Sequence, residues 1–272
     1  MPLVITVRNT SPIPLEVDTV RLETVREQSV DDVKRTPIQH GNRQERLGEF
    51  FDVAGSAADG ELVWEGDCSR VKLIGAGLTS GRVRVDGDAG MHLGAEMTGG
   101  EVLVNGNAAD WVGAEMHGGS IRVRGNAGHL VGAAYRGGRR GMTGGEILIN
   151  GNAGNEIGHT LRRGLIAVGG SAGDAAGFNM IAGTILVFGG AGIRPGAGMR
   201  RGTIAIFDAD NAPDLLSTFK PAGNVRPLFL ALYLRHLADR GFSIPADLAD
   251  AQYRHHRGDF LEYGKGEILI RA

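Results

Sequence analysis

Residues 145–163 read GEILINGNAGNEIGHTLRR, residues 164–182 GLIAVGGSAGDAAGFNMIA and residues 183–201 GTILVFGGAGIRPGAGMRR. Each stretch opens on glycine, sets aliphatic residues two and four positions later, and returns to glycine six and thirteen positions on. The frame extends outward from this block. Its opening glycines are Gly81, Gly100, Gly119, Gly145, Gly164, Gly183 and Gly202, separated by 19, 19, 26, 19, 19 and 19 residues. A looser unit begins at Gly60 and carries two extra residues. A sixth-position column follows: Gly87, Gly106, Gly125, Gly151, Gly170 and Gly189. A fixed period of this length marks a stacked repeat, in which each unit needs its neighbours to bury a core.

The residues between the glycines say what each unit does. Val83/Val85, Val102/Val104, Ile121/Val123, Ile147/Ile149, Ile166/Val168, Ile185/Val187 and Ile204/Ile206 alternate with period two, the pattern of a short strand with one buried face. The positions between them hold Arg82, Arg84, Asn105, Arg122 and Arg124, which suit a solvent or partner face. Met97, Met116, Tyr135, Leu161, Met180 and Met199 form a second apolar column sixteen positions after the opening glycine. Stacking such strands at about 4.8 Å gives one continuous core. The expected fold is therefore all-β, a right-handed parallel β-helix (solenoid) of 19-residue Gly-rich coils. The sixth-position glycines are structural, placed where the chain needs positive φ or where coils approach closely. Gly151 is expected in a tight positive-φ corner. The single spacing of 26 reads as seven extra residues looped out around Arg136 to Met142.

Three segments follow. Residues 1–55 form an N-terminal strand and cap segment, with strands expected over 3–8 and 14–22 and a polar, partly helical stretch over 29–51. Residues 56–210 carry the repeat. Residues 211–272 form a C-terminal helical cap with a final strand. Val225 to Arg240 reads as a helix, with Pro227 early and Gly241 as its stop. Its first half is apolar on all sides, which implies burial against more than one surface. Gly266–Ile270 repeats Gly145–Ile149 letter for letter, so the tail is expected to rejoin the sheet.

Composition narrows the function classes. Glycine supplies 45 of 272 residues, far above the usual roughly 7%. A hydrophobic content of 42% is enough for a core. With 29 basic and 31 acidic residues the net charge is −2, so no global field recruits nucleic acid or a membrane surface. Cys68 is the only cysteine, which excludes a disulfide, iron–sulfur cluster or cysteine-based zinc site within the chain. The amino terminus lacks signal-peptide features, and the longest apolar run, Leu228 to Leu234, is too short for a bilayer. A cytoplasmic protein is expected.

Catalytic motifs find little support. Gly125–Gly128 invites a dinucleotide-binding reading, yet that motif opens one long helix, whereas these glycines recur in every unit. Calcium-binding rolls need nine-residue repeats with a regular aspartate. His92, His117, His129 and His159 fall at four different repeat positions, so they form no ladder of metal ligands. His255 and His256 sit in a polar stretch and read as surface. No nucleophile elbow supports Ser-His-Asp chemistry. A hexapeptide-repeat acyltransferase would need an 18-residue coil with aliphatic residues every six positions. No catalytic, cofactor-binding or metal-binding residue is assigned. One charged feature stands out. Seventeen and eighteen positions after an opening glycine fall Arg136, Arg162 and Arg163, then Arg200 and Arg201, and the inserted loop adds Arg139 and Arg140. Stacked coils should gather these arginines along one edge, interrupted at Ile181-Ala182. Such an edge suits an anionic partner.

The Gly-xxxxx-Gly-xxxxxx-Gly pattern resembles the GXGXG domain, a right-handed β-helix. It is shared by the carboxy-terminal region of glutamate synthase and by the C subunit of formylmethanofuran dehydrogenase, with its counterpart in the bacterial formyltransferase/hydrolase complex. Gly87–Met97 (GDAGMHLGAEM) and Gly106–Met116 (GNAADWVGAEM) are similar to the C-subunit group. The resemblance implies a non-catalytic structural subunit of a one-carbon enzyme complex, with no cofactor on this chain and metal in another subunit. It further implies amidohydrolase-like, dehydrogenase-like and formyltransferase partners. In that setting a formyl group passes from tetrahydromethanopterin to a methanofuran-type carrier and leaves as formate. The archaeal alternative interconverts carbon dioxide and formylmethanofuran, and a glutamate-synthase-like protein is a third reading. The excess of arginine over lysine favours the bacterial complex.

Overall fold

The structure is a computed structural model describing residues 1–9 and 11–272. Strands dominate, and the chain is of the all-β class. A thirteen-stranded sheet runs the length of the molecule, and a four-stranded sheet flanks it near the amino terminus. The middle of the large sheet is built from the repeat strands Glu61–Glu65, Arg82–Asp86, Glu101–Val104, Ser120–Val123, Glu146–Ile149, Leu165–Val168, Thr184–Val187 and Arg201–Ile206. Every neighbouring pair is parallel and in register with the repeat, as in Ile166↔Ile185 and Ile185↔Ile204. A second line of parallel bridges links Cys68, Ala89, Ala108, Ala127, Ala153, Ala172 and Ala191.

Two side-chain ladders run between units. Asp88 Oδ1 accepts the Asn107 N–H (2.7 Å), Asn107 Oδ1 that of Asn126 (2.9 Å), Asn126 Oδ1 that of Asn152 (2.8 Å) and Asn152 Oδ1 that of Ser171 (2.8 Å). Three positions on, Asp110 Oδ1 accepts from His129 N–H (2.7 Å) and His129 Nδ1 from Asn155 N–H (2.9 Å). Asn155 and then Asp174 continue it at 3.0 Å each. Each link satisfies a backbone donor that the turn would otherwise leave open. One of the histidines without a repeat role in the sequence is thus a rung.

The strand faces differ along the molecule. In the early units only alternate residues are buried, as in Arg82–Asp86 and Ser120–Val123. From Glu146–Ile149 onward all four are buried. The cause is the helix Leu228–Asp239, whose Leu230, Leu234 and Leu237 pack on Leu148, Leu165, Ala167 and Leu186. Those alternate positions are apolar at Leu148, Ala167 and Leu186, where the helix covers them, and arginine at Arg84 and Arg122 in earlier units. Gly241 follows the helix at φ +74°, a stop that glycine takes without a Cβ penalty.

The ends show agreements and corrections. Lys265–Arg271 lies parallel to Arg201–Ile206, with Ile268 opposite Ile204 and Ile270 opposite Ile206, so the tail does rejoin the sheet. Tyr253–Gly258 and Lys220–Val225 then close that end as antiparallel strands. At the other end Leu3–Val7 pairs parallel with Glu61–Glu65 and antiparallel with Phe51–Ala54. The strand expected over 14–22 shrinks to Leu15–Glu16, and Leu22–Val25 is a helical turn whose Leu22 and Val25 are buried. The helix Leu228–Asp239 is not buried on all sides: Leu228 is 82% and Leu232 66% exposed. The insertion also shifts by one residue. Met142 is fully buried and its carbonyl accepts from Arg162 N–H, as that of Met97 does from His117 N–H. Met142 therefore fills the apolar column, and Tyr135 opens the loop.

Candidate functional site

Between the helix and the opening-glycine edge of the sheet lies a groove of about 1000 Å³. Its floor is bare backbone at Gly100, Gly119, Gly145, Gly164 and Gly183. These positions exclude a Cβ: one on Gly145 would stand 2.5 Å from the Gly119 carbonyl oxygen. The wall is formed by Phe229, Leu232, Tyr233, His236 and Arg240, spaced to fall on one helix face.

The polar end of the groove centres on Glu146, whose side chain is 10% exposed. Oε1 accepts from Ser120 Oγ (3.0 Å) and lies 3.2 Å from an Arg240 guanidinium nitrogen, while Oε2 lies 2.6 Å from His236 Nε2. Serine, histidine and carboxylate thus meet, but in the wrong order for nucleophilic catalysis. Ser120 donates to the carboxylate instead of to the imidazole, so no base activates it. The cluster instead ties the helix to the sheet. Thr184 Oγ1 donates to Tyr233 Oη at 3.2 Å, and the Arg122 guanidinium donates to the carbonyls of Arg240 and Gly241 at the helix end. That places a cation on the negative end of the helix dipole.

Truncating Glu146→Ala should cost about 1–2 kcal/mol, below a fully buried pair because His236 and Arg240 are each 44% exposed. Chemical denaturation checks the loss, and limited proteolysis after Phe229 or Tyr233 should quicken. Unchanged stability would mean that the Glu146 cluster does not hold the helix.

The arginines divide. Arg136, Arg139, Arg140, Arg163, Arg200 and Arg201 are exposed and Arg162 is half-buried. With Met142 in the apolar column, the slot after it belongs to Thr143, so Arg136 leaves the stripe and joins Arg139 and Arg140 on the loop. Thr143 Oγ1 lies 2.7 Å from Nδ1 of His117, its equivalent one unit earlier. Arg162/Arg163 and Arg200/Arg201 occupy equivalent slots two units apart. Arg200 is engaged by Glu262 (3.2 Å) and lies over the Tyr263 ring at 6.0 Å. The other six make no ion pair among the described residues.

The sixth-position glycines sit at close approaches. A Cβ on Gly106 would lie 2.6 Å from Gly87 O, on Gly125 2.7 Å from Gly106 O, and on Gly189 2.7 Å from the Gly170 carbonyl carbon. Gly170 would meet Asn152 Oδ1 at 2.2 Å. Gly151 is not in the left-handed region, which corrects the positive-φ expectation. The left-handed corners instead include non-glycine residues such as His92, Trp111, Leu130, Glu156, Ala175 and Arg194. At the first five of these the chain turns by offering its N–H to the next unit, as His92 does to Asp110 O at 3.0 Å.

Near the insertion, His92, Trp111 and Tyr135 gather as an aromatic cluster, with Tyr135 Oη 3.1 Å from His92 Nδ1. Burial, then Glu96 and Glu115, push the Tyr135 phenol up to about 12. Burial, and then Lys72, lower the affinity of His92 for a proton, and burial followed by Arg254 does the same to His256. The folded chain therefore protonates both below the unfolded value near 6.5. The unfolded state binds more protons in that window, so stability should fall as pH drops through about 6.5. The denaturation midpoint should be lower at pH 5.5 than at pH 7.5, and His92→Gln should shrink that difference. An equal difference in the variant would remove His92 from the account.

Among the described residues no three histidine, cysteine, aspartate or glutamate side chains are placed to share a metal ion, and no helix is long and apolar enough to cross a membrane. The GXGXG motif family matches residues 68–217, more than half of the chain. One chain of the formyltransferase/hydrolase complex from Methylorubrum extorquens, solved with methylofuran, superimposes with a TM-score of 0.92 at 34% identity, covering 99% of both chains. The C subunit of molybdenum-containing formylmethanofuran dehydrogenase 1 from Methanothermobacter marburgensis is 45% identical over 82 residues, 30% of this chain and 20% of that protein. The C subunit of tungsten-containing formylmethanofuran dehydrogenase 2 from Methanothermobacter thermautotrophicus is 39% identical over 95 residues, 34% of this chain and 35% of that protein. The matched stretch thus spans a fifth to a third of the length of these two relatives.

Proposed function

The chain belongs to the GXGXG family, and on that footing we propose that it is the non-catalytic, structural C subunit of a formyltransferase/hydrolase complex in one-carbon metabolism. The observation that carries this reading is the end-to-end likeness to a chain of such a complex, at 34% identity over 99% of both. In this reading residues 56–210 coil as a right-handed parallel β-helix of 19-residue turns. Residues 1–55 cap one end, and residues 211–272 cap the other with a helix and a final strand. The parallel in-register strands and the two side-chain ladders support it.

The complex would move a formyl group from tetrahydromethanopterin to a methanofuran-type carrier and release formate. Its amidohydrolase-like, dehydrogenase-like and formyltransferase subunits would carry the chemistry, with metal in one of them and the assembly in the cytoplasm. This chain would supply a stiff platform: its repeat pairs leave no hinge between neighbouring strands. Its arginine edge, Arg139, Arg140, Arg162, Arg163 and Arg201, would meet an acidic partner surface. A second reading, the C subunit of a formylmethanofuran dehydrogenase, draws on the 45% local identity.

Co-expression separates the two. The chain should co-purify with the other three subunits of the formyltransferase/hydrolase type and release formate only in their company. Turnover by the purified chain alone would defeat the scaffold reading, and assembly solely with dehydrogenase subunits would favour the second.

A further inference from the structure

Of the nine large apolar side chains exposed among the described residues, six lie in two short segments: Leu228, Phe229 and Leu232 on the helix, and Phe260, Leu261 and Tyr263 on the loop before the last strand. The two segments flank one stretch of surface. Phe229 and Leu232 wall the groove, whose floor ends at Gly183. Gly202 packs directly on Gly183, with only 2.7 Å between its would-be Cβ and the Gly183 oxygen. Arg201 precedes Gly202 and pairs with Lys265, which follows the loop. The loop therefore leads into the strand two places beyond the one that follows Gly183, at the end of the groove.

The loop is built to hold its shape. Asp259 is 3% exposed. Its carboxylate accepts the N–H groups of Gly198 (3.1 Å) and Leu261 (2.9 Å), and its carbonyl those of Glu262 and Gly264. Glu262 and Tyr263 are both held on Arg200. Three apolar side chains are thus presented on a pre-organised knob, which loses little freedom on binding. Charge fixes the kind of occupant. Arg163 lines the groove, and Arg201 occupies the same slot two units on. Neither has an acidic partner among the described residues, whereas the acids nearby are spent: Glu101 on Arg82 and Glu146 on His236 and Arg240. An apolar centre with unpaired arginines at its edge is the make-up of a protein interface.

Resting on the subunit reading above, we propose that the groove and the Phe260–Tyr263 knob form one docking face, taken by a partner protein of the complex that presents an apolar ridge edged with carboxylates. Phe229 and Leu232 would receive the ridge, the bare glycine floor would let it approach the backbone, and the knob would enter a pocket of the partner. Arg163 and Arg201 would pair with the carboxylates.

Cysteine reactivity tests this in the assembled complex. Cys68 is buried, with its thiol pushed up to about 12 by burial and Asp67, so it stays silent. Leu232→Cys and Leu261→Cys would be introduced singly, and their rates with N-ethylmaleimide compared between the free chain and the co-expressed complex. Both should slow at least tenfold on assembly, and Leu232→Asp with Leu261→Asp should cut co-purification by a similar factor while the far-ultraviolet spectrum stays unchanged. If the complex forms and both cysteines react as fast as in the free chain, the docking face is wrong while the subunit reading stands. If the free chain protects both positions and sediments as a dimer, a second copy occupies the face and the proposed partner class falls. If no complex forms with any of the other subunits, the subunit reading fails, and this inference with it.

Discussion

Replacing Gly151 by valine should destabilise the protein by about 3 kcal/mol or more, or prevent it from folding. The reason lies in spacing between neighbouring units. A Cβ at residue 151 would stand 2.4 Å from Asn126 Oδ1, 2.8 Å from Gly125 O and 3.0 Å from the Gly125 carbonyl carbon. Contacts of that length repel strongly, and neither neighbour can yield cheaply. Asn126 Oδ1 is the rung that accepts Asn152 N–H, and Gly125 O accepts Gly151 N–H at 3.0 Å. Moving either breaks a ladder bond whose donor is then stranded. Gly137→Val is the control. Gly137 lies on the inserted loop at φ +85° with nothing within 4 Å of a would-be Cβ, so it should cost only the roughly 1–2 kcal/mol of a left-handed side chain. Thermal and urea melts of both variants check the order. Equal melts would mean that the close approach of units does not limit the fold.

The opening-glycine frame could be read from the sequence because the restriction acts on one residue type. Only glycine tolerates those contacts, so the column survives as a letter. The ladder through Asp110, His129, Asn155 and Asp174 could not be read, since any side chain that reaches the next N–H will do. Chemical role was conserved along the molecule while residue type changed. The insertion slipped by one residue for a similar reason: Tyr135 and Met142 are both large and apolar, and only the hydrogen bond from Arg162 N–H to Met142 O decides between them.

The groove was half visible. The period-two pattern gave Leu165–Val168 and Thr184–Val187 one buried face; Leu165, Ala167 and Leu186, on the other face, are buried because the helix covers them. The Glu146 cluster carried a weaker signal, an acid opening an otherwise apolar strand and His236 and Arg240 four residues apart on a helix. Nothing in the sequence joined residues 90 positions apart. The exposure of Leu228 and Leu232 escaped the helical pattern altogether, because a face that awaits another chain has the same composition as one already covered.

Changing Arg139, Arg140, Arg162 and Arg163 together to glutamine should weaken assembly about ten- to a hundredfold without unfolding the chain. The four make no ion pair among the described residues, so their removal takes nothing from the fold. Like charges on Arg162 and Arg163, and on Arg139 and Arg140, repel one another, which an isolated surface has no reason to retain. Each exposed pairing across an interface is worth roughly 0.2–1 kcal/mol, and every 1.4 kcal/mol is a factor of ten, which sets the expected range. Salt supplies the second readout. At about 0.15 M ionic strength the screening length is about 8 Å, so affinity of the unmodified chain for its partners should fall steeply as salt rises, while that of the variant should respond weakly. Surface plasmon resonance of immobilised partner proteins at several salt concentrations measures both quantities. Affinity and salt slope equal to those of the unmodified protein would mean that these arginines only solvate an edge, and the partner would then have to be held by apolar contact alone.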